Sequence, residues 1–250
     1  MGDLSGQLAL VTGACGKLGP IWIEALTRVG ARVIGVDVLP GEFDGATSIE
    51  VADVTDRDSL LALRARIGTP NVLVNNAGID QPPSGDAGSA AIEDVPFDDF
   101  RRVLDVNLAG TFLATQVFGS AMRDAGRGSI VNLGSLYAGI APDPSMYDHL
   151  QLDPPFLKPP AYGASKAGVL SLTRYFARLW GPYGVRVNAL SPGGVLGGQD
   201  PEFLRKFTAR TPLRRLAEAD DLTGPLLFLA SEASRYVTGH ELRVDGGFTA

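Results

Sequence analysis

Short, wholly apolar runs alternate along the chain with longer stretches that are apolar on one face only. Leu8–Thr12, Arg32–Val38, Thr47–Val51, Asn71–Asn75, Gly128–Leu133, Val185–Leu190 and Glu241–Val244 read as strands. Between them, residues 17–29, 56–67, 97–124, 161–180 and 220–230 carry helical periodicity, with Thr55 as the expected N-cap of the second helix. Strands that are apolar throughout are covered on both faces, and their alternation with helices predicts a parallel sheet. Right-handed crossovers then give a doubly wound α/β sheet of about seven strands, with residues 1–250 as a single domain. Such a sheet takes its ligand beyond the carboxyl ends of the strands, where the strand order reverses. One segment breaks the pattern: residues 141–160 hold six prolines and cannot be regular helix or strand. It follows the fifth strand, so it is expected to lie over the ligand crevice. The loop 193–211, after the sixth strand, is a second expected lid.

Composition narrows the class. With 45% hydrophobic residues in 250, the chain can bury a core and disorder is excluded. The single cysteine excludes a disulfide scaffold. Acidic residues outnumber basic ones, 28 to 22, for a net charge of −6, so neither nucleic acid nor an anionic membrane surface is an expected partner. No apolar run approaches the roughly 20 residues needed to cross a bilayer. The first six residues lack the basic and apolar regions of a secretory leader, so a cytoplasmic location is expected. No metal site is expected. Glycine is in excess, 31 of 250 residues, about 12% against an ordinary usage of about 7%.

Much of that glycine clusters after strand ends. Thr12-Gly13-Ala14-Cys15-Gly16-Lys17-Leu18-Gly19 follows the first strand and opens the first helix. Glycines there allow a tight turn and let a diphosphate approach backbone N–H groups at the positive end of the helix. Asp37 ends the second strand, where a carboxylate accepts hydrogen bonds from both ribose hydroxyls of an adenosine and repels a 2′-phosphate. This favours NAD over NADP. Lys17 pulls the other way, but no basic residue at 38 or 39 completes a phosphate site. Asp53 and Val54 suit either an adenine contact or a cap on the following helix. Asn76, Ala77 and Gly78 suit either a cofactor wall or an Asn-rich turn.

A second cluster handles protons. Tyr162 and Lys166 stand at i and i+4 on one helix face, where an ammonium stabilises tyrosinate and lowers the phenol pKa. Gly163 keeps the nearby surface small enough for a substrate to approach. Ser135 ends the fifth strand, placed to hold a carbonyl or hydroxyl of a substrate. Asn107 lies mid-helix, a poor place for Asn unless its amide has a partner, and bonding to a main-chain kink is the alternative.

Taken together, Gly13 to Gly19, Asp37, Asn75-Asn76-Ala77-Gly78, Asn107, Ser135, Tyr162-x-x-x-Lys166 and Pro192-Gly193 resemble the short-chain dehydrogenase/reductases over essentially the whole chain. The resemblance implies a Rossmann-type fold, NAD (less so NADP), and a tetrad of Asn107, Ser135, Tyr162 and Lys166. Tyr162 would exchange the proton with the substrate oxygen and Ser135 would hold that oxygen. Lys166 would lower the Tyr162 pKa and bind the nicotinamide ribose, and Asn107 would fix a water. Gly13, Cys15, Lys17, Leu18, Gly19, Asp37, Asp53, Val54, Asn76, Ala77, Gly78, Tyr162, Lys166, Pro192, Gly193 and Val195 would contact the cofactor. A homotetramer or homodimer is implied as well. Two departures stand out. Lys17 occupies the place of the family's middle glycine, and Ser135 and Tyr162 are 27 residues apart, roughly twice the usual separation.

Substrate contacts are expected from the two lids and the strand ends: Ser135, Tyr137, His149, Lys158, Tyr162 and Gln199. Tyr147 lacks a Lys at 151 and so is no rival to Tyr162. Polar groups of this kind suit a hydroxyl-rich or anionic small molecule. The segment 135–142, the insertion and Ser191-Pro192-Gly193-Gly194 are also similar to a subgroup of sugar metabolism that includes nonulosonate-pathway enzymes. The expected function is interconversion of a secondary alcohol and ketone on a polyol, sugar or sugar derivative. Ketone reduction in acyl-chain or secondary-metabolite synthesis is the alternative, and a non-catalytic cofactor-binding protein a third.

Overall fold

A computed structural model describes residues 2–41, 48–80 and 91–250. Its seven strands are β1 (Leu8–Thr12), β2 (Arg32–Asp37), β3 (Ser48–Val51), β4 (Val72–Asn75), β5 (Gly128–Leu133), β6 (Val185–Pro192) and β7 (Glu241–Val244). They form one parallel sheet in the order β3-β2-β1-β4-β5-β6-β7. The expected start of β3, Thr47, lies outside the described residues. The order reverses between β1 and β4, so the loops after these two strands diverge and open a crevice there.

Helices α1 (Gly19–Arg28), α2 (Arg57–Ile67), α3 (residues 97–124), α4 (Pro160–Trp180), α5 (Pro201–Arg210) and α6 (Ala219–Ala230) connect the strands. Alternate strand residues feed two cores. Ala9, Val11, Val33, Val74 and Val131 meet Trp22 and Leu26 of α1 and Leu222 and Leu226 of α6. Leu10, Ile34, Leu73, Ile130 and Val187 meet Leu60 of α2, Phe118 and Met122 of α3, and Phe176 and Trp180 of α4. Period-two alternation on strands covered from both sides accounts for why each strand reads as one apolar run. Among the described residues, no helix is long and apolar enough to cross a membrane.

Three local features differ from expectation. The cap of α2 is Asp56, whose carboxylate accepts from the Asp58 N–H, because the Thr55 hydroxyl is donated to Asp53. Helix α3 runs through as expected, but in two stretches, Asp105–Gly110 and Thr115–Gly119, its backbone widens into π-helical turns. The proline-rich segment forms two single 3₁₀ turns, Pro144–Met146 and Asp148–Leu150, before Pro160 opens α4. Proline in a first helical turn loses no hydrogen bond, so the last of the six prolines starts a helix rather than preventing one. The segment has its own small core: Met146, Tyr147 and Phe156 pack with Leu136, Phe207 and Leu216.

Candidate active site

The crevice beyond β1 and β4 has a volume of about 670 Å³. One end is the glycine loop. Gly13 has φ +65°, and a Cβ there would stand 2.7 Å from Ala77 Cα, so the turn admits only glycine. At Gly19 a Cβ would meet the Ala14 carbonyl oxygen at 2.2 Å. Gly19 therefore seats α1 against the loop and does not itself line the crevice, unlike Gly13, Cys15, Lys17 and Leu18. The turn after β4 is bolted to this loop. The Thr12 hydroxyl accepts from the Asn76 and Ala77 N–H groups at 3.1 Å, and the Asn76 amide donates to the Thr12 and Gly13 carbonyls. Asn76 is thus both a turn residue and, with Ala77 and Gly78, part of the wall.

Asp37 lines the same end. Its carboxylate accepts from the Cys15 N–H at 3.0 Å and from the Leu39 N–H at 3.1 Å, which fixes it beside the glycine loop. Val38 and Leu39, beside it, are exposed and apolar. Asp53 and Val54 also line the crevice, while the Asp53 carboxylate accepts from the Thr55 N–H and hydroxyl, so both expected roles coexist geometrically. Lys17 is turned toward the loop after β6. Its ammonium donates to the Gly197 carbonyl at 3.1 Å and links the glycine loop to the loop after β6. Pro192, Gly193 and Val195 complete that wall. The aligned backbone, the fixed carboxylate and the unblocked start of α1 fit an adenine dinucleotide laid across the sheet edge.

Ser135, Tyr162 and Lys166 meet at the other end of the crevice. Lys166 is buried, its ammonium donating to the Leu133 carbonyl at 2.8 Å and lying 5.8 Å from the Tyr162 ring centre. Burial holds this ammonium down to about 8, opposed by the charge of Asp80. Burial and then Asp80 push the Tyr162 phenol up to about 12, against the neighbouring Ser135 hydroxyl. The phenol therefore stands above its ordinary value and not below it as expected, because the same enclosure that brings the Tyr162–Lys166 pair together removes solvent from both.

Asn107 is fully buried and does not reach the crevice wall. Its Oδ1 accepts from the Ile79 N–H at 2.8 Å, and its amide donates to the Ile79 carbonyl and the Ser165 hydroxyl. Both amide hydrogens are thereby used in tying the turn after β4 to the first turns of α4. The kink reading and the partner reading hold together, since Asn107 sits within the first π-helical stretch. Gly163 faces the Tyr137 carbonyl, 3.1 Å from the place of a Cβ, so its small size serves packing as well as access.

The other expected substrate residues do not line the crevice. Tyr137 is half-buried and does not line the crevice: its N–H donates to the Ser135 hydroxyl, and its phenol meets Tyr147. Tyr147 is a core residue stacked on Phe203 and tilted against Phe156, with burial raising its phenol far above the ordinary value. His149 lies 2.9 Å from Asp200 and 3.3 Å from the Lys206 ammonium, pinning the insertion to α5. Gln199 spends its amide on the Val195 carbonyl and the Gly197 N–H. Lys158 approaches the reacting end, its ammonium 5.2 Å from the Tyr162 ring centre and 2.5 Å from Asp80. Asp80 itself was not foreseen. Its signal was an acid two residues beyond Gly78, in the loop after β4 that must face the ligand.

Known proteins match the chain over nearly its whole length. The family model described as "short chain dehydrogenase" matches residues 7–147, and a second, "Enoyl-(Acyl carrier protein) reductase", matches 154–249. Galactitol 2-dehydrogenase (L-tagatose-forming) of Cereibacter sphaeroides is 36% identical, over 98% of this chain and 96% of that protein. Cis-4-hydroxycyclohexanecarboxylate dehydrogenase of Sinomonas cyclohexanicum is 34% identical, over 98% and 97%. D-threitol dehydrogenase of Mycolicibacterium smegmatis is 34% identical, over 98% and 94%. Among solved structures, a short chain dehydrogenase from Leptospira borgpetersenii with bound NAD+ superposes with a TM-score of 0.88 at 35% identity, over 99% and 94%. A gluconate 5-dehydrogenase from Burkholderia cenocepacia in complex with NADP and tartrate gives 0.82 at 29%, over 99% and 96%.

Proposed function

Since the chain belongs to the short-chain dehydrogenase/reductase family and is an oxidoreductase acting on CH–OH groups, we propose that it interconverts a secondary alcohol and ketone on a polyol or sugar, with NAD as cofactor. The observation that carries the reading is the convergence of Ser135, Tyr162 and Lys166 on the end of the crevice opposite Asp37. The galactitol and threitol dehydrogenases among its relatives support the substrate class. Relatives of known structure hold either NAD+ or NADP; the preference for NAD rests on the Asp37 carboxylate and on Lys17 being drawn to Gly197.

NAD supplies a hydride acceptor at nicotinamide C4 and, when oxidised, a positive ring charge that favours tyrosinate. The Tyr162 phenolate takes the proton of the substrate hydroxyl, and the Ser135 hydroxyl holds the same oxygen. Lys166 places positive charge behind the phenol and offsets its negative form. Asn107 is a positioning residue: by fixing Ile79 against Ser165 it sets the wall from which Gly78 and Asp80 face the substrate. Orientation and charge placement of this kind are what such a site contributes to rate.

Assembly into a tetramer or dimer, supported by exposed Phe112 on α3 and Tyr175 and Leu179 on α4, belongs to the same proposal, as does a cytoplasmic location. The test of the function is NADH formation from NAD+ across polyols, aldoses, sugar phosphates and hydroxy acids. Oxidation of polyols or aldoses is the expected result; oxidation of none of these compounds would overturn it.

A further inference from the structure

The proline-rich insertion delivers one cation to the reacting end of the crevice and surrounds it in an unusual way. The Lys158 side chain is only 8% exposed, yet its ammonium has a single polar partner among the described residues, Asp80 at 2.5 Å. It stands over two aromatic rings, 5.2 Å from the centre of Tyr162 and 5.5 Å from that of Tyr137. Among the described residues this buried ammonium meets one acceptor for its three N–H groups, which leaves two donors that a ligand could use. Asp80 lines the crevice, and only one of its oxygens is engaged by Lys158. Lys158 is not itself part of the crevice lining, but its ammonium stands against Asp80 and over the Tyr162 ring, so the pair sets N–H donors and a carboxylate acceptor beside that ring.

The sign of the surroundings decides what that group can be. The cations of the insertion and of the loop after β6 are already neutralised by carboxylates. Lys158 faces Asp80, Arg210 faces Asp143, Lys206 faces Asp148 and Arg205 faces Glu202. The segments outside the described residues contain no Lys or Arg. Lys17 has no carboxylate partner among the described residues, but it belongs to the glycine loop and bonds Gly197. An entering carboxylate or phosphate drawn to Lys158 would sit beside the Asp80 carboxylate, a like-charge contact in a partly enclosed site. A neutral diol meets no such repulsion, since one hydroxyl can accept from Lys158 while another donates to Asp80.

We infer that Lys158 and Asp80 form a hydroxyl clamp beside the reacting carbon, selecting uncharged polyhydroxylated substrates over sugar acids, other hydroxycarboxylates and sugar phosphates. The inference rests on the alcohol–ketone reading of the crevice and narrows the hydroxyl-rich or anionic class to its neutral half. Asp80 also sets charge near Tyr162 and Lys166, so its removal carries a second signature in the pH profile.

The experiment compares galactitol and threitol with gluconate and 4-hydroxycyclohexanecarboxylate, each with saturating NAD+, in wild type, Asp80→Asn and Lys158→Met. NADH affinity and thermal unfolding confirm that each variant folds. Wild type is expected to favour the polyols by at least about tenfold in kcat/KM. Asp80→Asn frees the ammonium: KM for the polyols rises, KM for the carboxylates falls, and the preference moves toward the acids by about tenfold or more. With the charge of Asp80 gone, its pH–rate profile also shifts to lower pH. Lys158→Met raises KM for the polyols without any gain on the acids. A polyol-to-acid ratio unmoved by Asp80→Asn, with polyols still oxidised, overturns the clamp alone, as does a wild type that prefers the acids. Failure of wild type to oxidise either class overturns the polyol reading and the clamp with it.

Discussion

Replacing Lys166 by methionine separates what the site needs for chemistry from what the fold needs for stability. The ammonium is buried, donates to the Leu133 carbonyl, and is held down from its ordinary 10.5 to about 8, chiefly by burial. At about 1.4 kcal/mol per pH unit, keeping it charged inside the folded protein costs about 3 kcal/mol at neutral pH. Methionine removes that cost but leaves the Leu133 carbonyl without its partner, a loss of about 1–3 kcal/mol. The variant is therefore expected to be as stable as wild type or somewhat more stable at neutral pH, while losing turnover. The pH dependence is cleaner, because the hydrogen-bond and packing losses cancel in it. Between pH 8 and pH 10.5 the unfolded wild-type chain holds a proton on residue 166 that the folded chain has released. Wild-type stability thus gains on the variant as pH rises, by about 3 kcal/mol between about pH 7 and about pH 10.5. Urea unfolding of both proteins at the two ends of this range measures it. A difference in stability that stays constant with pH would refute the claim that burial sets the state of this lysine.

Asp37→Ser removes the carboxylate at the adenosine end and is expected to lower the ratio of NAD to NADP efficiency by about tenfold or more, read from kcat/KM with each cofactor. An unchanged ratio would place the preference elsewhere. Tyr147→Ala opens the small core beneath the insertion, where Tyr147 stacks on Phe203, and is expected to cost about 3 kcal/mol in denaturant unfolding. Since the ring lies behind the crevice wall, NADH affinity stays as in wild type. His149→Ala, which breaks only the contacts to Asp200 and Lys206, is expected to leave kcat within about twofold; a large fall in kcat would bring His149 into the chemistry.

The fold was legible from the chain because its strands are apolar along their length and its helices are not, and parallel topology leaves few ways to connect them. The same topology explains why the residues named at strand ends, from Gly13 and Asp37 to Ser135 and Pro192, line one crevice: the ends of β1, β2, β4, β5 and β6 all open on one edge. Gly19 was placed one step too far toward the ligand, since nothing in its spacing shows that the Ala14 carbonyl lies against it. The lids were not legible in the same way. Tyr147 and Phe156 look like polar-loop aromatics until Phe203 and Phe207 of α5 are set against them. Gln199 looks like a ligand contact until its amide is seen to close its own loop. Lys158 meets Asp80 across 78 residues of sequence, and Lys206 meets Asp148 across 58. The i, i+4 spacing brought Tyr162 and Lys166 together, but not the enclosure that sets their protonation, which comes from the whole fold.

Whether Tyr162 is the group that moves the proton is best read by combining two measurements on Tyr162→Phe. Phenylalanine keeps the ring under the Lys158 ammonium and removes only the hydroxyl. NADH binding by titration calorimetry is expected to match wild type within about twofold, because Asp37 and the glycine loop are untouched. NADH formation from a polyol accepted by wild type is expected to fall by about a thousandfold, the order of loss for a positioned acid–base group. Turnover retained with intact cofactor binding would contradict the mechanism and assign the proton to another group.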